Sequence, residues 1–400
     1  MNTDLAARVA SSSARWSDQA TALRRTLHQH PELAFEEVKT AQEVAAFLER
    51  LGIRCRTGIG KTGIVAILEG RRDGPTIGIR ADMDALPIDE KNDLPFISRV
   101  PGKMHACGHD AHTAIALGVA GVLSEMRDDL PGRVMFIFQP AEETLTGAAA
   151  MLAAGAFSEG KPDAILGFHN WPQLKTGTVG WHPDAVMASS DAFDVTIRGV
   201  GGHGAHPHLA VDAIVAATQF VNQCQTIVSR EIAPIASAVL TIGKIHGGTA
   251  RNIIASSVEL AASVRTLDGD TSQKVRAAVT RILEGLKAGM RVEYTLEWNK
   301  LVPVLRNEAT TMRRVLDVAR ETLGAANVIE MPSPSMGSED FAWFAEQIPS
   351  AHLRLGSKIE GHDTAIHRAD YQLNEAVIPL GVDLMSRAVL KLMEPPPRQP

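Results

Sequence analysis

Cysteine is scarce in this chain of 400 residues: three residues, Cys55, Cys107 and Cys224, odd in number and far apart. That spacing argues against a disulfide framework, so a cytoplasmic location is expected. Long apolar runs are missing as well. No stretch approaches the roughly 20 uninterrupted apolar residues of a membrane helix. The opening "MNTDLAARVASSSARW" is polar and amphipathic, without the apolar centre of a secretory signal. Long basic runs and basic–aromatic interleaving are absent too, and the formal net charge is -6, so nothing points to nucleic acid or another polyanion. No internal repeat or low-complexity tract stands out. What is there is the composition of an ordinary globular protein, 45% hydrophobic and 22% charged, at a length that suggests two domains.

The segment "ALRRTLHQHPELAFEEVKTAQEVAAFLERLG" is helical in period. "GIVAILEG", "PTIGIRAD", "RVMFIFQP" and "DAILGFHN" read as strands, mostly of the buried type, and "DAHTAIALGVAGVLSEM" as a helix that Asp110 is placed to cap. Strands alternating with helices predict a mainly parallel α/β sheet. From about residue 187 the order becomes strand, helix, strand, strand, helix, strand, from "DAFDVTIRGV" to "RVEYTLEWN". That is the ferredoxin-like order. It predicts an inserted α+β domain at 187–300 within a first domain made of 1–186 and 301–400. After Pro303 helix–strand alternation resumes, and the tail "EPPPRQP" is expected to fray.

Loops at the carboxyl edge of a parallel sheet collect ligands. Asp82 and Asp84 follow "TIGIR", Glu142 and Glu143 follow "VMFIFQPA", and His169 follows "AILGF". Cys107 and His109 lie in the loop before the capped helix and can reach the same edge. Thiolate, imidazole and carboxylate together suit Zn²⁺, Mn²⁺ or a similar ion. Of two adjacent glutamates, one can bind metal while the other acts on water as general base. Zinc-finger spacing and the helical HExxH pair are absent. Plainer readings compete: Cys107 as a buried small hydrophobe or as a nucleophile at a helix start, and Glu142–Glu143 as a solvated acidic turn. "HQHPE" (His28, His30, Glu32) sits at a turn where Pro31 suits a helix start, and reads as structural rather than as another metal site. His105 and His112 read as supporting or packing residues. "GVGGHG" lacks the spacing of a nucleotide loop, and its glycines suit a tight loop around His203.

"RADMDALP", "MHACGHDAHT", "FQPAEET", "GFHNWP", "GGHGAHPH", "GGTARNIIA" and "MGSEDFAWF", in this order, resemble the M20 metallopeptidase family over nearly the whole chain. Within it they are similar to the amidohydrolase branch of hippurate hydrolases, N-acyl-amino-acid deacylases and indole-acetyl-amino-acid hydrolases. The resemblance implies a phosphorylase/hydrolase-like α/β catalytic domain and an inserted ferredoxin-like domain for lid function and dimerisation. It also implies two divalent ions per subunit, Mn²⁺ or Zn²⁺, with Co²⁺ or Ni²⁺ as alternatives. Residue by residue it implies that Cys107 bridges the ions and that His109, Glu143, His169 and His367 (in "AIHRAD") complete the ligands. Glu142 would be the general base, and Asp84 would orient a ligand, with Asp82 the alternative for that role. In the inserted domain His203 and Asn252 match substrate-contacting positions, His203 reaching across a homodimer to polarise the scissile carbonyl. Arg265 is the candidate holder of the substrate carboxylate. The implied substrate is an N-acyl amino acid of hippurate or N-acetyl type; a dipeptidase or carboxypeptidase of the same family, or a non-catalytic binder of small acylated ligands, are the alternatives. Many relatives carry "LHNPxYDFNDEALPIGV" where this chain has "IHRADYQLNEAVIPLGV", a difference placed at the expected acyl pocket.

Overall fold

The computed structural model describes residues 3–363 and 365–395. The expected fraying of the tail falls largely on Pro396–Pro400, outside the described residues. The chain divides into two compact units, Met1–Val186 with Arg306–Ser333 and Asp340–Pro400, and Met187–Leu305 with Pro334–Glu339.

The first unit opens with α1 (Thr3–Gln29) and α2 (Val38–Arg50). Strands β1 (Arg54–Ile59), β2 (Gly63–Glu69) and β3 (Arg72–Asp82) lead to α3 (His109–Glu125) and β4 (Pro131–Gln139). A short α4 (Gly147–Ala153) precedes β5 (Ala164–Lys175) and β6 (Val179–Trp181). The second unit holds β7 (Ser190–Arg198), α5 (Ala213–Thr226), β8 (Ala238–Gly247), β9 (Ser257–Thr266), α6 (Gly269–Met290) and β10 (Glu293–Val302). The chain returns with α7 (Ala309–Leu323), β11 (Val328–Glu330), the single turn α8 (Ala342–Ala345), β12 (Ser350–Lys358) and α9 (Val377–Met393).

The sheet of the first unit has the order β1-β2-β4-β3-β5-β12-β6-β11. Its middle, β4-β3-β5-β12, is parallel, while β1–β2, β2–β4 and β12–β6 pair antiparallel. Strands covered on both faces tolerate no polar alternation. Val134 to Phe138 of β4 and Ile165 to Phe168 of β5 are accordingly buried throughout. α3 is buried from His109 to Leu123, which explains its lack of a polar face. Its glycines let neighbouring helices approach. A Cβ on Gly118 would stand 2.6 Å from Val382 of α9, and one on Gly121 would overlap the Trp16 indole of α1.

Two local expectations fail. Asp110 does not cap α3; Gly108, at φ 92°, is the cap residue, and the Asp110 carboxylate turns back to Arg24 and His28 instead. Nor does Pro31 start a helix. α1 stops at Gln29 and α2 begins at Val38, because Leu33 bridges to Ala85 and Glu32 reaches forward to accept from the Thr40 backbone and hydroxyl.

The second unit is an antiparallel sheet of order β8-β9-β7-β10, the ferredoxin-like arrangement. Phe193, Val195 and Ile197 of β7 and Val258 and Leu260 of β9 share one core with Phe220 of α5 and Leu283 of α6. Asp212 and Asp268 cap the two helices through their backbone N–H groups.

The glycine contacts give a paired expectation. Gly121→Ala gains roughly 0.5–1 kcal/mol of helix preference but forces an overlap costing about 1–3 kcal/mol, so its urea midpoint falls. Gly285→Ala in α6, where a Cβ meets nothing within 4 Å, leaves the midpoint unchanged or raised.

Candidate metal centre

Strands β3, β4 and β5 run parallel, so the residues just beyond their carboxyl ends share one edge. Asp84 follows β3, and its carboxylate accepts the backbone N–H of Glu142 at 3.1 Å and of Glu143 at 3.0 Å. His109 begins α3. Its Nδ1 donates to the Asp84 carbonyl at 2.9 Å, which leaves Nε2 pointing inward. His109 Nε2 stands 3.9 Å from Glu143 Oε1, and both atoms are buried without a hydrogen-bond partner. Cys107 Sγ lies 3.3 Å from His169 Nε2, while His169 Nδ1 donates to the Asn170 carbonyl at 2.6 Å. His367 is half-exposed and has a left-handed backbone (φ 65°), an uncommon conformation outside glycine; its Nε2 is 3.3 Å from Glu143 Oε2.

Among the described residues five sets of donor atoms each fall within 4.8 Å; besides Asp82, His109 and His112, and Glu142, Glu339 and Asp340, they are Cys107, His109 and His169; Cys107, Glu143 and His367; and His109, Glu142 and Glu143. The sets with His169 and with His367 share Cys107. A buried polar atom without a partner costs about 1–3 kcal/mol, and here an imidazole nitrogen faces a carboxylate oxygen among sulfur and further oxygen donors. That donor set fits divalent cations of the Zn²⁺ or Mn²⁺ kind. The structure therefore brings together all five residues expected to be ligands, with Glu142 beside them.

Asp82 and Asp84 have different surroundings. Asp82 accepts from His112 Nδ1 at 2.6 Å and from Arg80 at 2.7 Å. His112 in turn accepts the Asn170 backbone N–H at Nε2 (3.0 Å), which ties α3 to the end of β5. Asp84 is thus the one of the pair that touches the Glu142–Glu143 backbone, while Asp82 binds Arg80 and His112. Arg80 escaped the sequence reading. It is fully buried and also binds Gln139 and Asp340; its one visible signal was a lone charge inside an apolar strand. Glu37 escaped as well. Buried, it accepts the backbone N–H of Ala141, whose φ of 53° shapes the turn before Glu142.

The electrostatics favour added positive charge. Burial pushes the Cys107 thiol well above its ordinary range, and Glu143, Glu142 and Asp82 push it further. For His109, burial is outweighed by Asp82, Asp84 and Glu143, which raise its pKa to about 10. Burial and His112 keep His169 well below the usual imidazole range, hence neutral. Burial opposes charge on Asp82, yet His109, His112 and Arg80 hold its carboxyl well below the usual range.

The remaining residues lie elsewhere. His28 and Glu32 do not converge: His28 binds Asp110 and Glu90, and Glu32 holds the start of α2. In the second unit His203 is exposed and pairs in register with Ile253, while the Gly204 N–H donates to the Asn252 carbonyl at 2.9 Å, so His203 and Asn252 are neighbours there. Arg265 donates to Ser338 Oγ at 2.7 Å. In the divergent segment, the buried Tyr371 accepts from Asn170 Nδ2 at 2.6 Å, and a Cβ on Gly108 would overlap Asn170 Oδ1.

Residues 78–391 match peptidase family M20/M25/M40. The chain is 41% identical to N-acetylcysteine deacetylase of Bacillus subtilis, covering 84% of this chain and 87% of that protein. It is 37% identical to IAA-amino acid hydrolase ILR1-like 2 of Arabidopsis thaliana, covering 94% and 86%. Among solved structures, the Bacillus subtilis YXEP protein, a dinuclear metal binding peptidase from the M20 family, superposes with a TM-score of 0.82 at 34% identity, over 95% of this chain and 99% of that one.

Because Cys107 and His109 both hold protons more tightly than usual, cation binding must displace them. Apparent affinity for Zn²⁺ or Mn²⁺ is expected to rise with pH between 6 and 8. Calorimetry in buffers of different ionisation enthalpy is expected to show proton release. Affinity independent of pH, with no proton released, would contradict this charge arrangement.

Proposed function

The chain belongs to peptidase family M20/M25/M40, and from that premise we propose that it is a metal-dependent amidohydrolase cleaving the acyl group from small N-acyl amino acids. The observation that carries the reading is the facing of His109 Nε2 and Glu143 Oε1, both partnerless, inside a ring of sulfur, nitrogen and oxygen donors with a second carboxylate alongside. Cys107, His109, Glu143, His169 and His367 would hold two divalent ions, Mn²⁺ or Zn²⁺, with Cys107 common to both. Such ions supply the positive charge that brings the acidity of water toward neutral pH and polarises a carbonyl.

Glu142 is the general base in this reading. Its backbone is held by Asp84, and its Oε2 lies 4.0 Å from His109 Nε2, beside the ligands. It takes a proton from the attacking water as the new C–O bond forms at the amide carbon. It returns that proton to the nitrogen as the C–N bond breaks, leaving a carboxylate and an amine. His203 would donate to the developing oxyanion, Asn252 would orient the substrate, and Arg265 would pair with its α-carboxylate. Cleavage of an amide, rather than mere binding, is supported by Glu142, which a binder would not need.

The inserted unit is also proposed to form a homodimer, in which His203 serves the partner's site. Val239 and Ile245 on β8, an edge strand among the described residues, and Ile214 and Val215 on α5 are exposed apolar side chains. Unpaired edges and apolar patches of this kind are suited to association. The three widely separated, unpaired cysteines support a reducing, cytoplasmic setting.

Glu142→Gln is expected to retain metal, measured by elemental analysis, and to lose about 10²–10⁴-fold in kcat on N-acetyl amino acids and hippurate. Near wild-type turnover would remove Glu142 from the mechanism. Chelator treatment is expected to abolish activity, with recovery on adding Mn²⁺ or Zn²⁺. Light scattering is expected to give twice the 42.9 kDa chain mass, and a charged substitution at Val239 or Ile245 to return the monomer with impaired turnover.

A further inference from the structure

Among the described residues, the buried arginines are Arg24, Arg80 and Arg354. Arg24 faces Asp110 and Glu375, and Arg80 faces Asp82 and Asp340. Arg354 is only 3% exposed and has no carboxylate within ion-pair distance among the described residues. Its guanidinium carbon lies over the Trp171 ring, 4.1 Å from the ring centre, and Nη2 donates to the Val186 carbonyl at 3.1 Å. Nε is buried with no partner. Nothing acidic offsets its burial, which lowers its pKa to about 10.

Its place in the sheet makes this relevant to the site. Arg354 on β12 is the register partner of His169 on β5, and the Trp171 ring that it covers is 6.2 Å from the His169 ring. A buried cation without a carboxylate partner thus stands one side chain away from the candidate ligand His169. Burying a charge is costly unless a partner neutralises it, and guanidinium geometry matches a carboxylate in bidentate fashion.

We propose that Arg354 receives a carboxylate of the substrate, so that the site prefers N-acyl amino acids carrying a second acid, on the amino-acid side chain or on the acyl group. This rests on the amidohydrolase reading, in which Arg265 takes the α-carboxylate. The competing role is a purely structural clamp on Trp171 and Val186.

Binding can be separated from turnover in the Glu142→Gln protein. Calorimetry would compare N-acetyl-L-glutamate with N-acetyl-L-glutamine, and N-succinyl-glycine with its terminal amide. The acid of at least one pair is expected to bind about tenfold tighter or more, and which pair shows it identifies where the second acid sits. Adding Arg354→Met should erase the difference, and Arg354→Lys should keep part of it. The thermal midpoint of Arg354→Met should stay level or rise, since an unpaired buried charge is removed. Equal binding of acid and amide in both pairs would overturn the proposal. So would Arg354→Met weakening acid and amide alike while lowering the midpoint, the signature of a clamp. If the wild-type protein cleaves none of these amides, the amidohydrolase reading fails, while the binding comparison still judges Arg354.

Discussion

The carboxylate of Asp84 accepts two successive backbone N–H groups, those of Glu142 and Glu143, while its own carbonyl accepts from His109. The ends of β3 and β4 and the first turn of α3 are thereby held to a single residue. The turn after β4 is not relaxed: Ala141 and Leu145 both have left-handed backbones. Such conformations persist where surrounding contacts over-determine them. Glu37 on the Ala141 N–H and Asp84 on the next two supply those contacts. Position at the centre is therefore set by backbone N–H groups held on the buried carboxylates of Asp84 and Glu37.

Charge in the first unit is sorted by depth. Beneath the centre, Asp82 and Asp340 are neutralised by Arg80, and behind α3 Asp110 is neutralised by Arg24. At the edge, Glu143 Oε1 and His109 Nε2 are left facing each other, and Arg354 is left with an aromatic face and a carbonyl. Buried groups are ordinarily satisfied; these atoms are among several buried polar atoms without a hydrogen-bond partner, and they lie beside the candidate ligands at the carboxyl edge of the sheet.

Much of this was legible in the primary structure. Apolar runs such as "VMFIF" and "AILGF" can only be buried strands, and their chemistry-bearing residues come immediately after them. The order of elements in 187–300 likewise admits the antiparallel β8-β9-β7-β10 sheet found. Local rules failed where a distant partner outbid a local one. Asp110 is well placed as a cap by its neighbours, but Arg24 and His28, more than 80 residues away, take its carboxylate. Pro31 suits a helix start, but the pairing of Leu33 with Ala85 keeps the chain extended.

Residue types, their periodicity and their order along the chain determined the α/β scaffold, the ferredoxin-like unit and the gathering of Cys107, His109, Glu142, Glu143 and His169 at one sheet edge, because burial and backbone pairing act on every strand alike; His367 entered only through the family resemblance. The tertiary structure alone decided that Asp84, not Asp82, accepts the Glu142 and Glu143 backbone N–H groups, that His112 links α3 to β5, and that Arg80 is neutralised while Arg354 is not. These depend on which side chains come within hydrogen-bonding reach across separations of tens to hundreds of residues. Hydrogen bonds and ion pairs act over a few ångströms, a scale on which sequence spacing carries no information.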